Sequence, residues 1–285
     1  MKLITWNVQW CRGVDQKVDP ARVVADAKRI ADFDVLCVQE IADNFPDPLL
    51  GGSDGSDQFA ALASLLPGYT AVAGVAVDQV GPDGSRRRFG NMILSRLPVL
   101  QAYRHMLPYP ADHDVPSMPR VAVEAVIHAD VGDVRVITTH LEYYSQRKRA
   151  AQVEALRAIY AEGHAYAANP RIGCDDEGPY IAQPRPANAV ITGDFNLEPD
   201  DPLHGRMGQP FDDGTPPLFD AWEIMHPGQP HDPTFKIYEK SKPGDPELHC
   251  DFIFVSESLR SRVARLWVDT ATQVSDHQPV LLELN

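Results

Sequence analysis

Asp194 and Asn196 stand two residues apart, just after an apolar run, Ala189-Val190-Ile191-Thr192, that reads as a buried strand. In an extended chain their side chains leave the same face. A carboxylate able to take a proton from water then lies beside a carboxamide able to hold an oxyanion, which suits hydrolysis. The same two residue types also build turns, and that reading stays open. Gly193 between them and the strand lets another group approach the backbone closely. Other apolar runs carry polar residues at their ends in the same way. Asn7 closes the first, Glu40 the second, and His140 lies near the end of Val134 to Glu142. Asp251 opens Asp251 to Val255, and Asp276-His277 precede the last run, Val280 to Leu284. A carboxylate in such a place is either solvated at a sheet edge or occupied by a cation. Sites gather at strand ends on one side of a sheet, so these residues are read as one constellation.

The elements that must position them alternate along the chain. Strands are expected at Leu3 to Val8, Asp34 to Glu40, Tyr69 to Val77, Phe89 to Arg96, Val99 to His105, Arg120 to Ile127 and Val263 to Val268, besides those above. Asp19-Pro20 starts a helix with Val23, Val24, Ala27 and Ile30 on one face. Short helices are expected near 57–66 and at Leu218 to Met225, and the clearest helix at Ser145 to about Ala161. Arg147, Lys148 and Arg149 crowd its positive end, which makes sense beside a bound anion or as tolerated basic surface. Arg86, Arg87 and Arg88 at a hairpin tip are either a solvated face or a phosphate-contacting rim. Met106 to Pro119, with His113, is expected as a substrate-side loop, 169–188 as a loop inside the domain, and Pro199 to Pro217 as a second irregular stretch. This pattern suits one α/β or α+β domain over residues 1–285, with two packed sheets and helices outside.

Composition narrows the partners. The chain has 285 residues and a formal charge of -14, which keeps it soluble and argues against broad affinity for nucleic acid or anionic membrane. The four cysteines, Cys11, Cys37, Cys174 and Cys250, form no C-x-x-C pair, so a thiolate zinc site is not expected. No apolar stretch is long enough to span a bilayer, and the chain opens on a strand. It is read as cytoplasmic, with no stable membrane insertion and no obligate protein partner.

Thr5-Trp6-Asn7-Val8, Val38-Gln39-Glu40, Gly90 to Arg96, Thr139-His140-Leu141, Gly193 to Asn196, Asp251-Phe252-Ile253 and Ser275-Asp276-His277 follow one another across nearly the whole chain. In that order they resemble the endonuclease/exonuclease/phosphatase superfamily, on the side of the deoxyribonucleases and sphingomyelinases. The resemblance implies a four-layered αββα sandwich of two packed mixed sheets flanked by helices. It also implies roles. Glu40 and Asn7 resemble magnesium ligands, with Asp276 a further carboxylate near the metal. Asp194 resembles the residue that orients and deprotonates water, and Asn196 its partner on the phosphoryl oxygens. His277 resembles the histidine that binds or protonates the phosphate, with Asp251 holding its ring, and His140 a second phosphate-contacting histidine. Arg149 and Gln152 resemble an R-x-x-Q pattern on the phosphate side, and Arg120 is a further candidate there. Thr138 to Glu142 departs from the Asn-x-Tyr-x-Pro-Asn segment of apurinic endonucleases, and Gln9 stands where those enzymes have an acidic residue.

The implied function is hydrolysis of a phosphodiester, nuclease-like or on a phospholipid or small molecule, with Mg2+ and Mn2+ as a substitute. Phosphomonoesterase action on a polyphosphorylated small molecule is the alternative within enzymes. A binding module that keeps the fold without catalysis is the alternative outside them.

Overall fold

The computed structural model describes residues 1–170, 177–183, 185–240, 242 and 244–285. The expected loop at 169–188 therefore lies partly outside the described residues, as does Cys174. In chain order the strands and helices are β1 (Lys2–Asn7), α1 (Pro20–Ile30), β2 (Val35–Asp43), α2 (Gln58–Leu65), β3 (Thr70–Val80), β4 (Arg86–Ser95), β5 (Val99–Met106), β6 (Val121–Ala129), β7 (Gly132–His140), α3 (Gln146–Ala168), β8 (Ala189–Asp194), α4 (Pro202–Met207), β9 (Leu218–Asp220), α5 (Ala221–Met225), β10 (Asp251–Ser256), α6 (Glu257–Arg260), β11 (Val263–Val268) and β12 (Val280–Leu284).

Two six-stranded mixed sheets result, in the orders β11-β12-β1-β2-β4-β3 and β5-β6-β7-β8-β10-β9. Each holds one parallel pair at its centre, β1 with β2 and β7 with β8. Central strands bury both faces, which is why they read as continuous apolar runs rather than alternating ones. Leu3, Cys37, Ile93, Val123, Val136, Val190 and Ile253 fill the space between the sheets. Their outward neighbours Ile4, Trp6, Leu36 and Val38 pack under α1 and α2, against Val23, Val24, Phe59 and Leu62. On the other side Ile137 and Ile191 pack under α3, against Val153, Leu156 and Tyr160. The result is four layers: helix, sheet, sheet, helix.

Local chemistry fixes the helix starts. Asp19 accepts from the amides of Ala21 and Arg22, Asp57 from Ala60 and Ser145 from Lys148, each satisfying an N–H the first turn leaves free. Two expectations are revised, and one pair of open readings is narrowed. Leu218–Asp220 is a short strand paired to β10, and the helix begins only at Ala221. Pro202–Met207, expected to be irregular, is a helical turn and a half capped by Asp201. Arg86 and Arg88 pair with Asp78, Asp43 and Asp57, so they do not form a free phosphate-contacting rim. No helix among the described residues is long and apolar enough to cross a membrane.

Candidate active site

The registers of the central strands build the site. β7 and β8 place His140 opposite Asp194, and β8 and β10 place Asp194 opposite Asp251. Gly193 makes this possible. Its φ is 135°, and a Cβ there would stand 1.9 Å from the carbonyl oxygen of Thr139. In the facing sheet β1 and β2 end side by side, so Asn7 lies against Gln39 and next to Glu40. Glu40 does not close its strand. It sits in a bulge of β2 with φ 62°, and the bulge aims its side chain at the cleft between the sheets.

Asp194 Oδ2 is the hub. The Asn7 amide donates to it at 2.9 Å and also to Glu40 Oε1 at 3.1 Å, bridging the two carboxylates across the sheets. His140 Nε2 lies 3.5 Å and His277 Nε2 3.7 Å from the same oxygen. His277 Nδ1 meets Asp251 Oδ2 at 2.9 Å. Phe235 stacks on the His277 ring at 4.4 Å, and Trp6 Nε1 donates to the His277 carbonyl. Gln9 Nε2 donates to Asp276 Oδ2 at 2.6 Å, so the residue standing in place of an acid steadies one instead. Asn196 does not continue the strand. With φ 51° it turns back, its own N–H donating to Asp194 Oδ1 and its side chain to the Leu141 carbonyl. The two readings of this pair thus combine: the turn itself orients the carboxylate.

Burial without enough positive charge shapes the acids. Burial, and then the charge of Asp276, pushes the Glu40 carboxyl up to about 7. Burial also raises Asp194 to about 6, against the pull of His277. For His277 burial works against the cation, yet Asp251 and the other acidic groups around it outweigh that and hold its pKa well above the usual imidazole range. His140 goes the other way, lowered well below that range by burial and by the nearby Arg120. One ring is therefore held cationic and the other neutral within one cluster.

Arg120 is 5% exposed, its Nε and Nη1 carry no hydrogen-bond partner, and its Nε lies 3.8 Å from Glu142 Oε2. It lines a small cavity with His140 and Asn91. Its guanidinium thus keeps donors free at the wall of that cavity. Arg149 donates to the carbonyls of Glu142 and Tyr143 and lines a larger cavity of about 560 Å³ with Tyr143, Tyr144, Asn196 and Phe235. Gln152 stands apart. Fully buried, it holds the Glu142 amide and the Pro108 carbonyl, supporting the cleft wall from below. Arg147 and Lys148 turn to the Ala111 carbonyl and the Tyr109 ring. Phe235 was not singled out from sequence; Gln9 was noted only as a departure, two residues beyond Asn7, and Trp6 only as part of the segment around Asn7.

Two packed mixed sheets that meet in a cleft of carboxylates, amides and histidines define the class of phosphoester-cleaving sandwich folds. The chain belongs to the Endonuclease/Exonuclease/phosphatase family, whose sequence model matches residues 4–277. Members are hydrolases acting on phosphoester bonds, and the family generally uses divalent metal ions. Among solved structures it is similar to an endonuclease/exonuclease/phosphatase from Beutenbergia cavernae, at 21% identity and TM-score 0.66, over 100% of this chain and 72% of that one. It is similar to one from Bacteroides vulgatus, at 17% identity and TM-score 0.67, over 100% and 98%. It is also similar to D. rerio TDP2, solved in complex with a single-strand DNA product, at 18% identity and TM-score 0.65, over 100% and 98%. Among curated proteins no relative matches.

Proposed function

We propose that residues 1–285 form one catalytic unit, a divalent-metal-dependent phosphodiesterase that uses Asp194 as base and Glu40 as the principal metal carboxylate. The observation that carries this reading is the convergence of Asn7, His140 and His277 on Asp194 Oδ2, beside a second carboxylate, Glu40, that His140 Nδ1 approaches at 3.9 Å and no Lys or Arg pairs with among the described residues.

The donor set fits magnesium. Glu40 and Asp276 offer hard oxygens and raise each other's energy when both are ionised, a conflict a divalent cation removes. Asn7, whose amide already ties Glu40 to Asp194, stands beside them; manganese would serve the same oxygens. When bound, the cation supplies charge neutralisation at the phosphoryl oxygens. Asp194, raised to about 6, is a better proton acceptor than an ordinary aspartate and takes the proton from the attacking water. The N–H and side chain of Asn196 fix the turn that points that carboxylate inward. His277, kept cationic by Asp251, balances charge on the phosphoryl group or returns a proton to the leaving oxygen. Neutral His140 offers a hydrogen bond rather than a charge, and Arg120 adds charge from the wall behind it.

The neighbouring cavity favours a substrate with an aromatic group beside its phosphodiester. Tyr143 and Tyr144 are half exposed and edge-to-face at 4.8 Å, and Phe235 faces the same space. Bases stack on such surfaces, and TDP2 holds single-strand DNA, so single-stranded nucleic acid is the leading substrate over duplex DNA or phospholipid. The charge of -14 fits a local contact rather than a basic track. The test compares bis(p-nitrophenyl) phosphate with p-nitrophenyl phosphate, with magnesium and with chelator, for wild type and His277→Ala. Magnesium-dependent release from the diester, lost in the variant, is expected. Release mainly from the monoester would turn the reading to a phosphatase, and no magnesium dependence would remove the metal role.

A further inference from the structure

Twenty-five residues separate α5 from β10 with no helix or strand among those described, and they carry Phe235 onto the His277 ring. Structureless stretches of this length are uncommon in a compact fold without something to fasten them. Backbone bridges tie Phe235 to Leu248 and His277, and His231 fastens the earlier part of the stretch to the second sheet. His231 Nε2 lies 2.9 Å from Asp220 Oδ2, and His204 Nε2 lies 2.8 Å from the same oxygen. The three atoms come from three segments, α4, the end of β9 and the long connection, and all lie within 4.8 Å of one another.

The surroundings hold both rings with their Nε2 atoms turned to one point. His204 packs on Phe252 and Phe254 at 4.7 and 5.4 Å, and His231 stacks on Trp222 at 5.3 Å. The other Asp220 oxygen accepts from the Trp222 amide at 2.7 Å, which fixes the carboxylate in turn. An apolar shell, two imidazoles and one anchored carboxylate are the makings of a transition-metal centre. Tetrahedral zinc at 2.0–2.1 Å from its ligands sets them about 3.3 Å apart, so the two Nε2–Oδ2 distances of 2.8 and 2.9 Å would open by about half an ångström on binding.

We propose that His204, Asp220 and His231 form a zinc site, separate from the catalytic cluster, that clips the 226–250 connection to the second sheet and so holds the Phe235 wall over His277. Two nitrogens and one carboxylate oxygen select zinc over magnesium, whereas the oxygen-rich site at Glu40 selects the reverse. The fourth position is left to water or to His249, whose ring packs on His231 at 4.6 Å.

The test uses protein made without a histidine tag. Elemental analysis is expected to find about one zinc per chain in wild type and less than about a tenth of that in His231→Ala. The Glu40→Gln variant, which removes the proposed catalytic metal carboxylate, is expected to keep its zinc, so failure of the catalytic reading and failure of this one are told apart. After stripping with chelator, wild type is expected to gain several degrees of Tm on adding zinc and little on adding magnesium. Cobalt(II) is expected to give the visible bands of a four-coordinate site in wild type and not in His231→Ala. Equal zinc in wild type and His231→Ala, or a stripped protein whose Tm ignores zinc, would overturn the proposal and leave a hydrogen-bonded triad. Should His231→Ala fail to fold, the zinc titration of stripped wild type decides alone.

Discussion

The molecule carries two carboxylate clusters, one in the cleft between the sheets and one on the second sheet, and their pKa shifts differ in sign. At the cleft, Glu40, Asp194, Asp251 and Asp276 face the cationic groups His277 and Arg120, and Glu40 and Asp194 are pushed up to about 7 and 6, chiefly by burial. On the helix-covered face, Glu124 is fully buried yet sits among His105 at 2.9 Å, Arg185 at 3.5 Å and Arg135 at 3.6 Å. Burial raises its pKa too, but these three outweigh it and hold it below the usual range. Arg135 is itself held by the carbonyls of Pro186, Ile159 and Tyr160, and Gly163 leaves room for it, since a Cβ there would stand 2.1 Å from the guanidinium. Burial alone therefore does not mark a site. A carboxylate surplus left for a cation from outside does, while the matched cluster is structural.

Substitutions can break this contrast. The largest effect is expected from Asp194→Ala, which should lower kcat by about 10³-fold while the circular dichroism and Tm stay near wild type. A variant that keeps near-wild-type turnover would remove Asp194 as base. Next, Glu124→Gln should cost about 3 kcal/mol of stability by urea unfolding without changing magnesium dependence, because it strands buried arginines. No loss would mean the matched cluster contributes nothing.

Magnesium affinity should sharpen the contrast. Cation binding needs Glu40 ionised, so lowering pH below about 7 should weaken magnesium binding by up to about tenfold per unit, read by titration of activity or calorimetry. A flat profile from pH 8 to 6 would contradict it. The smallest effect concerns the chelated protein. A raised carboxyl pKa means the folded chain holds more protons than the unfolded one between the ordinary carboxylate range and about 7. Stability of the metal-free protein should then fall as pH rises through that window. Glu40→Gln should recover about 1 kcal/mol at pH 8, with magnesium dependence lost. For Glu124 the sign is opposite: its depressed pKa gives stability that is full above the ordinary glutamate range and lost as pH falls through the folded value.

Much of this was legible in the chain. Each polar residue at the end of an apolar run, from Asn7 to His277, is where the sheets meet, because runs buried on both faces stop where the protein needs water and charge. What was not legible is where backbone departs from period. Glu40 reads as a strand end but sits inside β2, since a bulge leaves no mark in hydrophobic pattern. Asn196 fitted both an extended and a turned reading, and what decides for the turn, the Leu141 carbonyl just past the end of β7, is distant in sequence. The three-residue strand Leu218–Asp220 is too short for a period, and its partner β10 lies thirty residues on. His204, His231 and His249 had no shared spacing in sequence; only the packing of α4, β9 and the long connection unites them.

Gln9, Glu40 and Asn196 all adopt left-handed backbone at the rim of one cleft, a conformation that glycine holds more easily than glutamine or glutamate. A copy of this gene released from selection for turnover would gain stability by relaxing those positions first. Glycine or other small residues there, in an otherwise intact sandwich, would be the signature of a descendant that keeps the scaffold and has retired from chemistry.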